Sequence, residues 1–233
     1  MTSRRDDFET LVELACAEPV SGWRFPFLEG RRVVEPLGWD YSELAREVVS
    51  GAETVLDHGT GGGEVLADIG RGSGVTVATE AWPPNVPVAA KTLAGLGIRV
   101  VQVEHGTFDT RGPSDEYPDR RMPFADNTFD VVLARHVAFS PAEICRILRP
   151  GGVLLTQMGR VVARRPGQIE LTDYFPGTTG PSWPPLDWTA LLADGGLVIE
   201  DYREQLQRTK FLDIGGGLTA TGWSILARAT KPG

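Results

Sequence analysis

Short apolar runs alternate with amphipathic stretches along most of the chain, and glycine, proline or a capping residue separates them. Val55-Leu56, Val75–Ala78, Ile98–Val103, Val131–Leu133 and Val153–Leu155 read as buried strands. Between them lie helical patterns. Asp40 with Glu43 forms a capping box for a helix through Ser50, with Leu44 and Val48 facing inward. A second helix starts at Gly63 or Glu64 with Val65, Leu66 and Ile69 on one face, and Asn85 caps a third that Gly97 stops. Ser140-Pro141-Ala142-Glu143 combines a cap, a proline at the first helical position and a glutamate three residues after the cap, ahead of Ile144, Ile147 and Leu148. Strands alternating with helices predict a parallel α/β sheet.

The two ends are less regular. Residues 3–17 predict a helix with Phe8, Leu11, Val12 and Ala15 on one face, followed by an aromatic stretch from Trp23 to Tyr41 that is either a connector or a cap over a pocket. Residues 105–121 and 159–185, rich in Gly and Pro, read as loops, the second long enough for a lid. Trp188, Leu191 and Leu192 suggest a short helix closed by Gly195-Gly196, and Leu197–Tyr202 and Trp223–Ala229 two last strands. The glycines at 215–217 read as a turn between them. No repeat or internal boundary appears, so residues 1–233 read as one domain: a cap over 1–50, a core over 51–157 and an outer part over 158–233.

With 41% hydrophobic and 23% charged residues the chain is of ordinary globular composition, and no apolar run approaches a membrane span or resembles a signal segment. A cytoplasmic protein without a membrane partner is expected. Cys16 and Cys145 stand far apart in helical contexts, which argues against a disulfide framework or a cysteine-rich metal site. The net charge of −8 disfavours nucleic acid as a partner, because such binding draws on Lys and Arg; the basic cluster at 160–165 reads as a solvated loop. Oligomeric state is not written in the pattern.

One stretch carries chemistry. In Asp57-His58-Gly59-Thr60-Gly61-Gly62-Gly63-Glu64 a buried strand ends in an acid, and glycines at 59, 61 and 63 permit positive φ and close approach of a ligand beside a helix start. The next strand ends at Glu80, at the distance where a dinucleotide fold sets its ribose-binding acid. A glycine turn with a spaced acid implies an adenosine-type ligand. Asp57 and Glu64 beside the turn would repel a pyrophosphate and suit a ligand bearing an ammonium and a sulfonium.

With D-x-G-x-G-x-G at 57–63, the sequence resembles the class I S-adenosylmethionine-dependent methyltransferases. Two further motifs carry the same resemblance: Met122-Pro123-Phe124 leading through an acidic turn to Phe129-Asp130-Val131-Val132, and Arg146-Ile147-Leu148-Arg149-Pro150-Gly151-Gly152-Val153. Together they cover roughly residues 53–157. The resemblance implies a Rossmann-like, doubly wound, mostly parallel seven-stranded sheet with an antiparallel terminal strand, and S-adenosyl-L-methionine as cofactor. It implies that Asp57 helps hold the methionine end and Glu80 the ribose hydroxyls, with His58, Gly59, Thr60, Gly61, Gly63, Ala81, Trp82 and Arg135 completing the cofactor site. Trp82 lies against adenine or is a surface tryptophan. An adenine-contacting acid would come from Asp109, Asp115 or Asp119.

The acceptor of such an enzyme sits beyond the fourth strand, which here ends Arg135-His136. His136 is the candidate base or acceptor-orienting group, or else a hydrogen-bonded structural histidine. The fourth strand lacks the Asn/Asp-Pro-Pro-Tyr/Phe ending of base-amino methylation, and Cys145 lies within a helix, unsuited to attack on a pyrimidine. A small-molecule acceptor is therefore expected, roofed by Trp23, Phe25 and the 159–185 loop with Tyr174. RNA or protein acceptors, an NAD-linked oxidoreductase and a non-catalytic cofactor-binding domain remain the alternatives.

Overall fold

The computed structural model describes residues 13, 17, 21–22, 28–103, 121–163, 171–172, 188–212 and 219–233. All of the expected helix at 3–17 but residues 13 and 17, the aromatics Trp23 and Phe25, the loop acids Asp109, Asp115 and Asp119, Tyr174 and the 215–217 turn lie outside them. In chain order the elements are β1 (Arg32–Val34), α1 (Tyr41–Ser50), β2 (Thr54–His58), α2 (Glu64–Ile69), β3 (Val75–Glu80), α3 (Asn85–Leu93) and β4 (Arg99–Gln102). There follow β5 (Phe129–Arg135), α4 (Pro141–Ile147), β6 (Leu148–Ala163), β7 (Leu171–Thr172), α5 (Trp188–Asp194), β8 (Val198–Phe211) and β9 (Thr219–Thr230).

The nine strands among the described residues join one sheet in the order β1-β8-β9-β6-β5-β2-β3-β4, with β7 paired to β6. Without the short β1 and β7 this is the expected seven-stranded sheet: β2, β3, β4, β5 and β6 pair in parallel, and β9 runs antiparallel between β6 and β8. Alternation along each strand divides the core. Val55, Val131, Leu133 and Leu155 pack with α1, α2 and Leu93 of α3 on one face, while Leu56, Val132, Leu154 and Ala227 pack with Ile144 and Ile147 of α4 and Leu192 of α5 on the other.

The motifs that carry the resemblance hold the far end of the sheet together. Asp130 accepts from the backbone N–H of Glu53 and Thr54, from the Thr54 hydroxyl and from Arg149, fastening β5 to β2 at their starts. Arg146 donates to Glu143, to Asp126 and to the carbonyls of Met122 and Phe124, so the turn before β5 is tied to α4.

Four expectations change. The innermost stripe of α1 is Tyr41, Ala45 and Val49, with Leu44 and Val48 only flanking it, because the small Ala45 lets the helix approach the sheet. Asn85 does not cap α3: its buried side chain accepts from the N–H of Gly22 at 2.8 Å, and Pro84 occupies the cap position. Residues 159–163, expected in a loop, continue β6, and β8 and β9 outrun their apolar stretches because each is paired along its length with a neighbour. The aromatic connector contains a strand, since Arg32–Val34 pairs with Thr209–Phe211 of β8.

Candidate active site

The register of the parallel strands brings the expected residues to one edge. Asp57 aligns with Ala78 and Leu133, His58 with Ala134, and Arg135 with Gln157, so the C-terminal ends of β2, β3, β5 and β6 finish level. Side-chain alternation then sorts them. Asp57, Glu80, Arg135 and Gln157 emerge on the α1 side, and His58 and Thr79 on the other.

The glycine turn is bolted onto the end of β3. Gly59 N–H donates to the Thr79 hydroxyl (3.2 Å), Thr60 N–H to the Thr79 carbonyl (2.8 Å) and Gly61 N–H to Glu80 Oε2 (2.7 Å). Three successive amides are thus satisfied within the protein. The Thr79 hydroxyl also lies 3.1 Å from His58 Nδ1, while His58 Nε2 lies 3.1 Å from the Ala138 carbonyl. A carbonyl only accepts, so the neutral ring carries its proton on Nε2 and takes the Thr79 hydroxyl proton at Nδ1. Burial pushes His58 down to about 4, which keeps the ring neutral. With both nitrogens engaged, His58 braces the turn against the β5–α4 connection.

Gly59 and Gly63 have φ of 72° and 82°, and a Cβ there would stand 2.4 Å from Val137 Cγ2 and 2.8 Å from Leu93 Cγ. The protein's own packing therefore demands glycine at both positions, beyond any approach of a ligand. Gly61, at φ 64°, completes the turn.

Glu80 is buried, and its two carboxylate oxygens accept from Gly61 N–H and Trp82 N–H at 2.7 and 2.8 Å. A carboxylate has about four acceptor sites, so about two remain for a ligand's vicinal hydroxyls. Burial raises its pKa, and the N–H donors of Trp82 and Gly61 oppose the rise. Ala81 carries the chain to Trp82, whose side chain is 44% exposed at the rim. Asp57 is pushed up to about 6, chiefly by burial, with the Arg135 guanidinium pulling it back.

Arg135 ends β5 with its guanidinium carbon 5.6 Å from the centre of the Tyr41 ring. His136 follows at φ 53°, its N–H donating to the Gln157 carbonyl at 2.8 Å. A left-handed non-glycine residue at the end of a central strand is a strained placement of a kind that gathers at functional sites. Burial, with Arg135 second, lowers His136 to about 4, so its imidazole is neutral at neutral pH. The edge thus joins two carboxylates, a glycine cradle, an exposed indole and a neutral imidazole, a set that fits S-adenosylmethionine in its ammonium, ribose and adenine parts.

Trp39 and Tyr41, which end the aromatic stretch read as a connector or a cap, also stand at this edge, together with Gln157, which was not anticipated. Their signal was present: Tyr41 stands four and eight residues before Ala45 and Val49, and Gln157 lies two beyond Leu155 as Arg135 lies two beyond Leu133. A cavity of about 330 Å³ lined by Glu47, Gly51, Asp130, Val153 and Arg228 lies at the opposite, N-terminal end of the strands. Ligands of open α/β sheets bind at the carboxyl ends, so it belongs to no part of this site.

The pKa of Asp57 gives a first prediction. Below about pH 6 the carboxyl of the empty protein is protonated and cannot attract an ammonium, so affinity for S-adenosylmethionine should fall by up to about tenfold per pH unit as pH drops through 6. In Asp57→Asn, binding should be weak and the slope shallower, the remainder coming from Glu80. Calorimetric titrations from pH 5 to 8 read both.

Residues 56–156 match the family model described as a methyltransferase domain. A methyltransferase-like structure from Bacillus halodurans C-125 is similar at 21% identity and TM-score 0.58, covering 83% of this chain and 99% of that one. The YcgJ protein of Bacillus subtilis is 16% identical at TM-score 0.58 over 83% and 98% of the two chains, and the cyclase SpnF 17% identical at 0.54 over 96% and 92%. At such identities these are likenesses of fold. No curated protein matches the chain. With the motif matches, the sheet order and the carboxylate-flanked glycine turn together, residues 56–156 carry a methyltransferase domain on a Rossmann-like α/β sheet of the kind that class I S-adenosylmethionine-dependent methyltransferases share.

Proposed function

We propose that the enzyme methylates a small-molecule acceptor held beside His136. The observation that carries this reading is the half-buried, left-handed His136 at the end of β5, lying beside β6 where that strand runs on past the parallel core. A would-be Cβ on Gly159 would lie 3.5 Å from the His136 ring, so the backbone of β6 runs directly beside it. The net charge of −8 supports a small acceptor over RNA. No helix among the described residues is long and apolar enough to cross a membrane, and we place the enzyme in the cytoplasm.

When bound, S-adenosylmethionine supplies an electrophilic methyl group on a sulfonium. Asp57 would hold its ammonium, the free acceptor sites of Glu80 its ribose hydroxyls, and Trp82 would lie against adenine, with His58, Gly59, Thr60, Gly61, Gly63 and Ala81 shaping the cradle. The work of the chain is alignment, because displacement at the methyl requires donor and acceptor in line. The neutral His136 accepts a hydrogen bond from an O–H or N–H acceptor, orients it, and takes its proton as the bond to carbon forms. Its lowered pKa favours orientation over strong basicity.

Methyl-labelled S-adenosylmethionine incubated with the enzyme and, separately, with the low-molecular-mass, RNA and protein fractions of a cell extract tests the acceptor class. Label is expected in the low-molecular-mass fraction, and label confined to RNA or protein would overturn the reading. His136→Gln should lower kcat by about a hundredfold while leaving S-adenosylhomocysteine affinity unchanged. An equal loss of affinity would make His136 a cofactor residue.

A further inference from the structure

Gly159 is a glycine that neither its backbone nor its packing demands. It lies within the paired part of β6, opposite Ser224 of β9, and its φ is not positive. Among the described residues a Cβ there would meet only the His136 ring, 3.5 Å from Cε1 and 3.7 Å from Nδ1, both ordinary contacts. Gly59 and Gly63 differ, since φ and close neighbours exclude a side chain at each. A glycine inside a strand gives up packing and chain entropy, and it often marks the close approach of a ligand. The same distances place the imidazole. Alternation alone would send His136 to the face opposite Arg135, but its φ of 53° leaves the ring beside Gly159, which shares the α1 side with Gln157.

On that face β6, β9 and β8 run past the parallel core, and one cross-strand row reads Gly159, Ser224, Gln205. Residues 35–39 pass over it, held by glutamines on either side. Gln207 Nε2 donates to the Glu35 carbonyl at 2.6 Å, Gln205 Nε2 to the Pro36 carbonyl at 3.1 Å, and Trp39 Nε1 donates to Gln157 Oε1 at 3.0 Å. Because a carbonyl only accepts, Gln207 turns its own oxygen to Ser224, whose hydroxyl donates to it at 3.2 Å. Ser224, 6% exposed, therefore keeps lone pairs as acceptors, and Gln157, 5% exposed, keeps its NH₂ group as a donor. The charged side chains of this stretch are engaged: Arg203 with Asp201 at 2.6 Å, and Glu35 with Arg208 N–H at 3.2 Å.

We propose that the space over Gly159, between His136, Ser224 and residues 35–39, is the acceptor slot, and that it takes a neutral, polyhydroxylated small molecule. One O–H of that molecule faces His136, a second donates to Ser224, and Gln157 donates to an oxygen of it. The proposal rests on the reading of His136 as the residue beside the acceptor, and adds the substrate class and two specificity-determining residues, Gly159 and Ser224. A carboxylate or an ammonium would enter this slot with no counter-charge to meet it, Asp57 and Arg135 being taken up with the cofactor. A side chain at 159 would fill the place of the acceptor without touching the cofactor.

The test divides the low-molecular-mass fraction of a cell extract by anion and cation exchange into anionic, cationic and neutral pools, each incubated with the enzyme and methyl-labelled S-adenosylmethionine. Label is expected in the neutral pool. Gly159→Val and Ser224→Ala should each slow transfer into it by at least about tenfold and leave calorimetric affinity for S-adenosylhomocysteine within about twofold, which also shows that the variants fold. Ser224→Thr, which keeps the hydroxyl, should retain more activity than Ser224→Ala. Label confined to a charged pool would overturn the neutral class and leave the small-molecule reading standing. Undiminished transfer by Gly159→Val, or an equal loss of S-adenosylhomocysteine affinity in both variants, would overturn the slot. Absence of label from all three pools would overturn the small-molecule reading itself, and the slot with it.

Discussion

Replacing Glu80 by alanine should abolish measurable cofactor binding, raising the dissociation constant for S-adenosylhomocysteine by at least about a hundredfold. One carboxylate does two things here. Its oxygens hold Gly61 N–H and Trp82 N–H, and in the proposed site its remaining lone pairs would take the ribose hydroxyls. Alanine would leave both amides in a buried corner without acceptors, at about 1–3 kcal/mol each, so the turn should loosen as the ribose contact disappears. Glu80→Gln should fall between. Its amide oxygen can accept from one N–H, but its NH₂ group would meet the other donor. Calorimetry for affinity and thermal melting for stability read the two effects apart, and an alanine variant that bound the cofactor normally would remove Glu80 from the site.

The second large effect concerns Gly59. Alanine there meets two independent obstacles: a φ of 72°, costing about 1–2 kcal/mol for an L side chain, and a Cβ 2.4 Å from Val137 Cγ2, with overpacking of about 1–3 kcal/mol. Gly59→Ala should lower stability by about 2–4 kcal/mol and the melting temperature by roughly 5–15 °C. It should also disturb the bond from Gly59 N–H to the Thr79 hydroxyl, and with it the bracing of His58. Because Val137 can be trimmed and φ cannot, Gly59→Ala/Val137→Ala should recover only about half of the loss. Full recovery would mean that backbone conformation contributes little, and no recovery that the clash relaxes freely.

How these residues come to act together bears on what a methyltransferase site is made of. The candidate site is assembled from the ends of four parallel strands, so its geometry depends on register more than on any single motif. Two lowered histidines and two raised carboxyls share that edge, each shifted first by burial. The two imidazoles are held neutral, while the carboxyl of Asp57 is ionised above about pH 6 and stands near the permanently charged Arg135, an arrangement that favours a ligand bringing both signs of charge with it.

Much of this was legible along the chain. Asp57, the glycine turn and Glu80 stand out because strand, turn and spaced acid are local patterns, and the cap at Ser140 appears as expected because it is decided within one helical turn: Ser140 accepts from Glu143 N–H at 3.4 Å. Where a residue's role depended on a distant partner, the local pattern misled. Asn85 has the chemistry of a cap, yet Gly22 claims its side chain, and Glu143, which might have closed its own box, instead accepts from Met122 N–H. The strands β6, β8 and β9 run through glycine, glutamine and arginine with no apolar signal, because ladder hydrogen bonds to neighbours carry them onward. The sequence by itself thus determined the fold class, the glycine turn and the two acids beside it, because each is written in a short local pattern of strand, turn or helix start. Only the tertiary structure decided that Trp39, Tyr41, Arg135 and Gln157 meet at one edge, since pairing register and side-chain reach across the sheet leave no trace in local order.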